Sequence, residues 1–164
     1  MLGHGWEFQW ERVNRRLKDV QAVYTGAPGG TDIALDKALS LFEVVHHLRD
    51  WLRNDPNIDV PEAAVEELIK GSLALRLCGD LANGSKHLAL ERRPWTGDKS
   101  TAITRNDVRV LVGTETSAHR FYIASSGKEH DVLEIAEQAV EEWSRFLSER
   151  HLIGAAHQQS GHDQ

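Results

Sequence analysis

With 164 residues, 40% of them apolar and 27% charged, the chain can bury a core of its own, and its composition excludes a fibrous or wholly disordered polymer. A net charge of −6 excludes a global field that recruits nucleic acid or anionic membrane, so any such contact needs a local basic patch. The single cysteine, Cys78, excludes a disulfide framework and a two-cysteine metal site and reads as a small buried residue; with no apolar signal core and no membrane-length apolar run, the expectation is a soluble, cytoplasmic protein.

Trp6, Trp10, Val13, Leu17, Val20 and Tyr24 recur at helical period, with Glu11, Arg12, Arg15, Arg16 and Lys18 between them, and predict an amphipathic helix. Gly and Pro in GAPGG, residues 26–30, break it. Thr31 or Asp32 is placed to cap a second helix. Its apolar arc (Leu35, Leu39, Phe42, Val45, Leu48, Leu52) is wide enough to predict a place between other helices, and NDPN, residues 54–57, ends it. Pro61 fits the first turn of a third helix, with Glu62, Glu66 and Glu67 near its positive end. That helix is expected to reach at least Ala82, its small residues (Gly71, Ser72, Ala74, Gly79) allowing close helix approach.

ERRPWTGDKST, residues 91–101, reads as a loop. Val108, Val110 and Val112 alternate with Arg109 and Leu111, and Phe121 and Ile123 flank Tyr122, which predicts an antiparallel hairpin at about 105–126 that turns in GTETSA. A last helix is expected from near Glu129, with Val132, Ala136, Ala139, Trp143 and Phe146 as its stripe and a strongly acidic outer face. Together these give a mainly α domain over residues 1–150, four-helix bundle-like, with a β-hairpin inserted before the last helix. Residues 151–164 read as a disordered tail.

Two polar stripes stand out. Arg76, Asp80, Asn83 and His87 are spaced four, three and four in the most apolar helix, and Glu43, His47, Asp50 and Asn54 repeat that rhythm on the second. In an antiparallel packing the two face each other. A polar seam between apolar helices must be hydrogen-bonded internally or open to solvent, because a stranded buried polar group costs about 1–3 kcal/mol. Asn83-Gly84 is also a turn signal, so His87 belongs either to the helix or to a loop just beyond it.

LANGSKHL, residues 81–88, preceded by a helix with HHLRDWL, residues 46–52, resembles the signature of the HEPN domains. These are small helical bundles, often RNases or RNA-binding modules of bacterial defence and toxin–antitoxin systems. The resemblance covers the helices between about residues 31 and 90, and the last helix. It implies metal-independent RNA cleavage by the family's arginine and histidine, the histidine matching His87 and the motif's polar residue Asn83, often with a second copy across a homodimer. The family's arginine falls on Ala82, which has no charge to offer a phosphorane-like transition state, and leaves Arg76 or Lys86 to supply a cation. A catalytic and a non-catalytic member are both open.

Read from chemistry, His87 is the general acid or base, because imidazole titrates near operating pH. Asn83 and Asp80 are then positioning groups, Arg76 or Lys86 the charge stabiliser, and His47 and Asp50 partners from the second helix. Lys86, Arg92 and Arg93 precede Trp95, and from Lys86 to Arg109 six Lys/Arg stand against three Asp/Glu. A basic loop with an aromatic is a platform for single-stranded RNA. This reading calls for no cofactor. A rival is a metal-dependent hydrolase, since His46 or His47 with Asp50 and His87 are ligand types for zinc, nickel or iron. A third reading is a non-catalytic interaction or dimerisation module whose polar stripes fix helix register.

Overall fold

The computed structural model describes residues 5–86 and 93–154, apart from the side chains of Ser85 and Lys86. In chain order come α1 (Trp6–Thr25), β1 (Ala27–Pro28), α2 (Thr31–Asn54), α3 (Glu62–Gly71), α4 (Leu73–Lys86), β2 (Ala102–Val110), β3 (Thr116–Ser125), β4 (Lys128–Asp131) and α5 (Val132–Glu149). Among the described residues the chain is mainly helical and carries one antiparallel sheet of four strands. No helix among the described residues is long and apolar enough to cross a membrane.

α2 packs against α1, α4 and α5, which accounts for its wide apolar arc. Leu41, Phe42, Val45 and Leu48 are wholly buried there. Each such side chain contributes about 1.5–3 kcal/mol through removal from water. Two polar ties fix α1 on α2. The Gln9 amide, buried in the seam, donates to the Val44 carbonyl at 2.8 Å. Asp55, just past the end of α2, accepts the Trp6 N–H at the start of α1 at 2.9 Å. The backbone N–H groups of Asn57 and Trp6 hold the Asp55 carboxyl below its usual range.

The expected third helix is two helices. Ser72 takes an extended conformation between α3 and α4. Its Oγ accepts the Leu75 N–H at 3.1 Å, and its carbonyl accepts the Arg76 N–H at 3.1 Å. A serine hydroxyl that bonds the backbone three residues on starts a helix instead of continuing one. The second helix begins at Thr31 with Gly30 at its cap and no side-chain cap bond, so neither Thr31 nor Asp32 plays that role. Asn83-Gly84 does not end α4, which continues to Lys86.

β3 is the centre of the sheet. β2 lies on one edge, with a bulge between Ile103 and Arg105, and β1 and β4 share the other. The last helix starts at Val132, not near Glu129. Ser126 (φ 51°) and Gly127 (φ 73°) make a two-residue turn whose left-handed backbone suits strand twist, and Lys128–Asp131 fold back on β3 as a strand. Asp131 then caps α5, its Oδ1 accepting from the N–H groups of Leu133 at 2.9 Å and Glu134 at 3.1 Å. Its Oδ2 accepts from Arg120 Nε at 2.6 Å.

Phe121 and Ile123 of β3 join the helices in one hydrophobic cluster with Trp143 and Leu147 of α5. Tyr24 of α1 completes this junction. Its hydroxyl donates to the Phe121 carbonyl at 3.1 Å and accepts the N–H groups of Phe121 at 3.2 Å and Leu133 at 3.1 Å. Burial, reinforced by the Asp131 charge, pushes its ionisation well above that of an ordinary tyrosine. At the far end of α5, His151 turns left-handed (φ 56°), the Leu152 N–H reaches the Leu147 carbonyl at 3.0 Å, and the His151 N–H reaches Ser148 at 2.9 Å. Residues 151–154, expected in the tail, thus close the helix; residues 155–164 lie outside the described residues.

Candidate functional site

α4 is apolar on most of its circumference: Ala74, Leu75, Leu77, Cys78, Leu81 and Ala82 are all buried. Burial pushes the Cys78 thiol far up, so it packs as a small apolar group and supplies no thiolate at neutral pH. Within this helix Asp80 is fully buried. Its Oδ1 accepts the Trp95 N–H at 2.6 Å, and its Oδ2 accepts the Thr96 N–H at 3.0 Å and the Thr96 hydroxyl at 2.6 Å. One carboxylate therefore anchors the loop that leads into the sheet.

The anchorage continues beyond it. Thr96 Oγ1 lies 3.2 Å from Thr101 Oγ1, which lies 2.7 Å from Ser125 Oγ at the end of β3. Asp98 accepts from Ser100 Oγ at 2.6 Å and N–H at 2.8 Å, and from the Ser126 N–H at 2.6 Å. Those donors, the Ser100 hydroxyl foremost, hold the Asp98 carboxyl below its usual range. The loop is thus fixed to α4 on one side and to the β3–β4 turn on the other.

This fixes Trp95. Gly79 leaves room for it: a Cβ there would sit 2.7 Å from Trp95 Cδ1 and 3.0 Å from His46 Nδ1. The indole meets His46 edge-on at 6.1 Å between centroids, and the Arg49 guanidinium stands 5.6 Å from its ring centre. Arg49 Nε is buried without a hydrogen bond among the described residues, although it lies 3.4 Å from Asp50 Oδ1. On the outer side, Lys70, Arg93, Pro94, Trp95, Thr96 and Gly97 line a groove of about 470 Å³. Lys70 and Arg93 are exposed, and Lys70 makes a loose contact to Glu66 at 3.7 Å.

The expected site residues do not all come together. Asp80 and Trp95 meet, and Arg93 lines the groove beside them. Arg76 is half-buried and donates through Nε to the Ser72 carbonyl at 3.3 Å, while Asn83 is half-buried further along α4. On α2, His46 is the histidine buried against α4; His47 and Asp50 are half-buried, and the Asp50 carbonyl accepts from Asn54 at 2.7 Å. His87, Arg92 and the Lys86 side chain lie outside the described residues. Among the described residues no group of three His, Cys, Asp or Glu is placed to hold a metal ion.

Sequence reading missed Thr96, Asp98, Thr101, Ser125 and Gly79. GDKS carried one usable signal, because Asp followed two residues later by Ser favours a side-chain-bonded turn. A second basic surface lies on α1, where Phe8, Arg12, Arg15, Arg16, Lys18 and Asp19 line a groove of about 480 Å³. Its arginines are engaged locally: Arg12 with Gln9 at 3.0 Å, Arg15 with Glu11 at 3.5 Å, and Arg16 with Asp19 at 3.0 Å. No family model, curated protein or solved structure matches the chain.

Proposed function

We propose that this chain is a nucleic-acid-binding module that takes single-stranded RNA in the groove of Lys70, Arg93 and Trp95, on a HEPN-like framework in which α1, α2, α4 and α5 form the bundle. The observation that carries this reading is the pairing of two exposed cations with an indole that a buried carboxylate holds in place. Cations track the backbone and a fixed aromatic face or edge receives a base, without demanding one sequence. Binding without cleavage is favoured, because both Asp80 oxygens already serve the loop and Ala82 stands where the family's arginine would act. A role in a bacterial defence or toxin–antitoxin setting follows from the same resemblance. A second reading, a protein–protein module, is favoured by the edge of β2 that pairs with no described strand.

Fluorescence anisotropy with a labelled single-stranded RNA tests the proposal. Arg93→Glu and Lys70→Glu should each weaken binding and lower the slope of log affinity against log salt by about 0.7 per lost phosphate contact. Loss of binding only in Arg15→Glu/Arg16→Glu would move the interface to α1 and refute the groove. EDTA-resistant cleavage of the RNA by the wild type would restore the catalytic reading.

A further inference from the structure

We propose that β2 is a homodimer interface, in which two copies of this chain join their sheets by antiparallel pairing of residues 106–110 about a two-fold axis at Val108. The other edge of β2 pairs with no described strand. Near its end the strand leaves Val108 51% and Val110 71% exposed, with Val112 98% exposed in the turn beyond. An uncovered apolar edge is a template for another strand.

The hydrogen-bonding parity selects which residues reach outward. The Leu111 N–H donates to the Thr116 carbonyl at 3.2 Å, so Leu111 faces β3. Backbone direction alternates along a strand. Arg109 and Asp107, opposite Ala118 and Arg120, therefore face β3 too, and Asn106, Val108 and Val110 turn their N–H and C=O groups to the open edge. With the axis at Val108, Val108 pairs with its own copy and Val110 with Asn106 of the other chain, each through outward groups.

Charge selects the register. An axis at Val108 sets Asp107 opposite Arg109 of the second copy, twice. An axis at residue 107 would oppose two aspartates, and one at residue 109 two arginines, which destabilises a pair of strands. An axis at Asn106 would run the ladder into the bulge between Ile103 and Arg105. Arg109 makes no ion pair among the described residues and is available. The dimer would set Val108 and Val110 beside a neighbouring strand and build one continuous sheet.

Sedimentation velocity over about 1 µM to 1 mM, a span that covers weak and strong association, tests the pairing. The wild type should shift from monomer to dimer. Asp107→Arg places Arg against Arg in its own dimer, and Arg109→Asp places Asp against Asp, so each variant alone should be monomeric. Mixed in equal amounts the two become complementary at both positions and should form a heterodimer. Circular dichroism of each variant confirms that it is folded. Val108→Cys adds a check on register, since hydrogen-bonded partners lie about 5.5 Å apart at Cα, within disulfide range. It should cross-link to its copy under oxidation, whereas Val110→Cys, about 13 Å from its copy at the rise of a strand, should not. A wild type that stays monomeric throughout overturns the proposal. So do folded single variants that dimerise like the wild type, or a mixture that does not associate.

Discussion

Asp80→Ala is the sharpest test of how the candidate site is built. The carboxylate is fully buried and accepts from Trp95 N–H, Thr96 N–H and the Thr96 hydroxyl. A hydrogen bond to a charged group contributes about 1.5–3 kcal/mol, and each donor left buried and unpaired costs about 1–3 kcal/mol. These terms share one side chain and do not add, so the expected loss is about 3–5 kcal/mol, as for breaking a buried charged network. In a chain of this size that lowers the melting temperature by about 6–20 °C. Urea titration should show a lower midpoint at unchanged slope. Asp80→Asn should fall between, since one oxygen still accepts while its NH₂ opposes a backbone N–H. A loss under about 1 kcal/mol together with changed RNA affinity would refute the anchoring role and make Asp80 a residue of an open cleft.

Other expectations follow from the same geometry. Tyr24→Phe strands the Phe121 N–H, while the Leu133 N–H keeps its bond to Asp131, and should lose about 1–3 kcal/mol in urea unfolding; a change near zero would mean water replaces the hydroxyl. Gly79→Ala forces a Cβ against Trp95 and His46 and should destabilise by about 1–3 kcal/mol, with a thermal shift as the readout. Asp131→Ala removes the α5 cap and should lose about 0.5–2 kcal/mol; its ion pair adds little because the Arg120 side chain is 55% exposed. The carboxyls of Asp55, Asp98 and Glu129 are each held below the ordinary range, Glu129 by the Arg105 guanidinium. Their contribution is complete above the unfolded-state values and is lost as pH falls through the folded ones. The melting temperature should therefore drop below about pH 4, less so in Asp98→Asn; a melting temperature that rises on acidification contradicts this.

The long helices were legible because their apolar residues repeat at one period over several turns. The break at Ser72 was not, because Ile69, Leu73 and Leu77 keep that period across it and only the Ser72 hydroxyl interrupts the backbone ladder. β4 was missed because Lys128, Glu129 and His130 have no apolar alternation. It is a strand through the Ser126-Gly127 turn and its pairing to β3. The site is legible as an anomaly: Asp80 is a carboxylate within an apolar helix, and such a group needs partners. Its partners lie 15 and 16 residues away, beyond what helical spacing can indicate.

The Tyr24 hydroxyl also bears on the order in which this chain folds. It bridges segments 97 and 109 residues away, supplying a partner to β3 beside β4 and to the first turn of α5. Contacts of such separation close late, after the entropy of a long loop has been overcome. α1 must therefore wait for β3 and α5 before its own tyrosine is satisfied, and without α5 it lacks the Leu133 part of that lock. Folding of this junction accordingly spans α1 to α5 and is completed only when both have docked on β3.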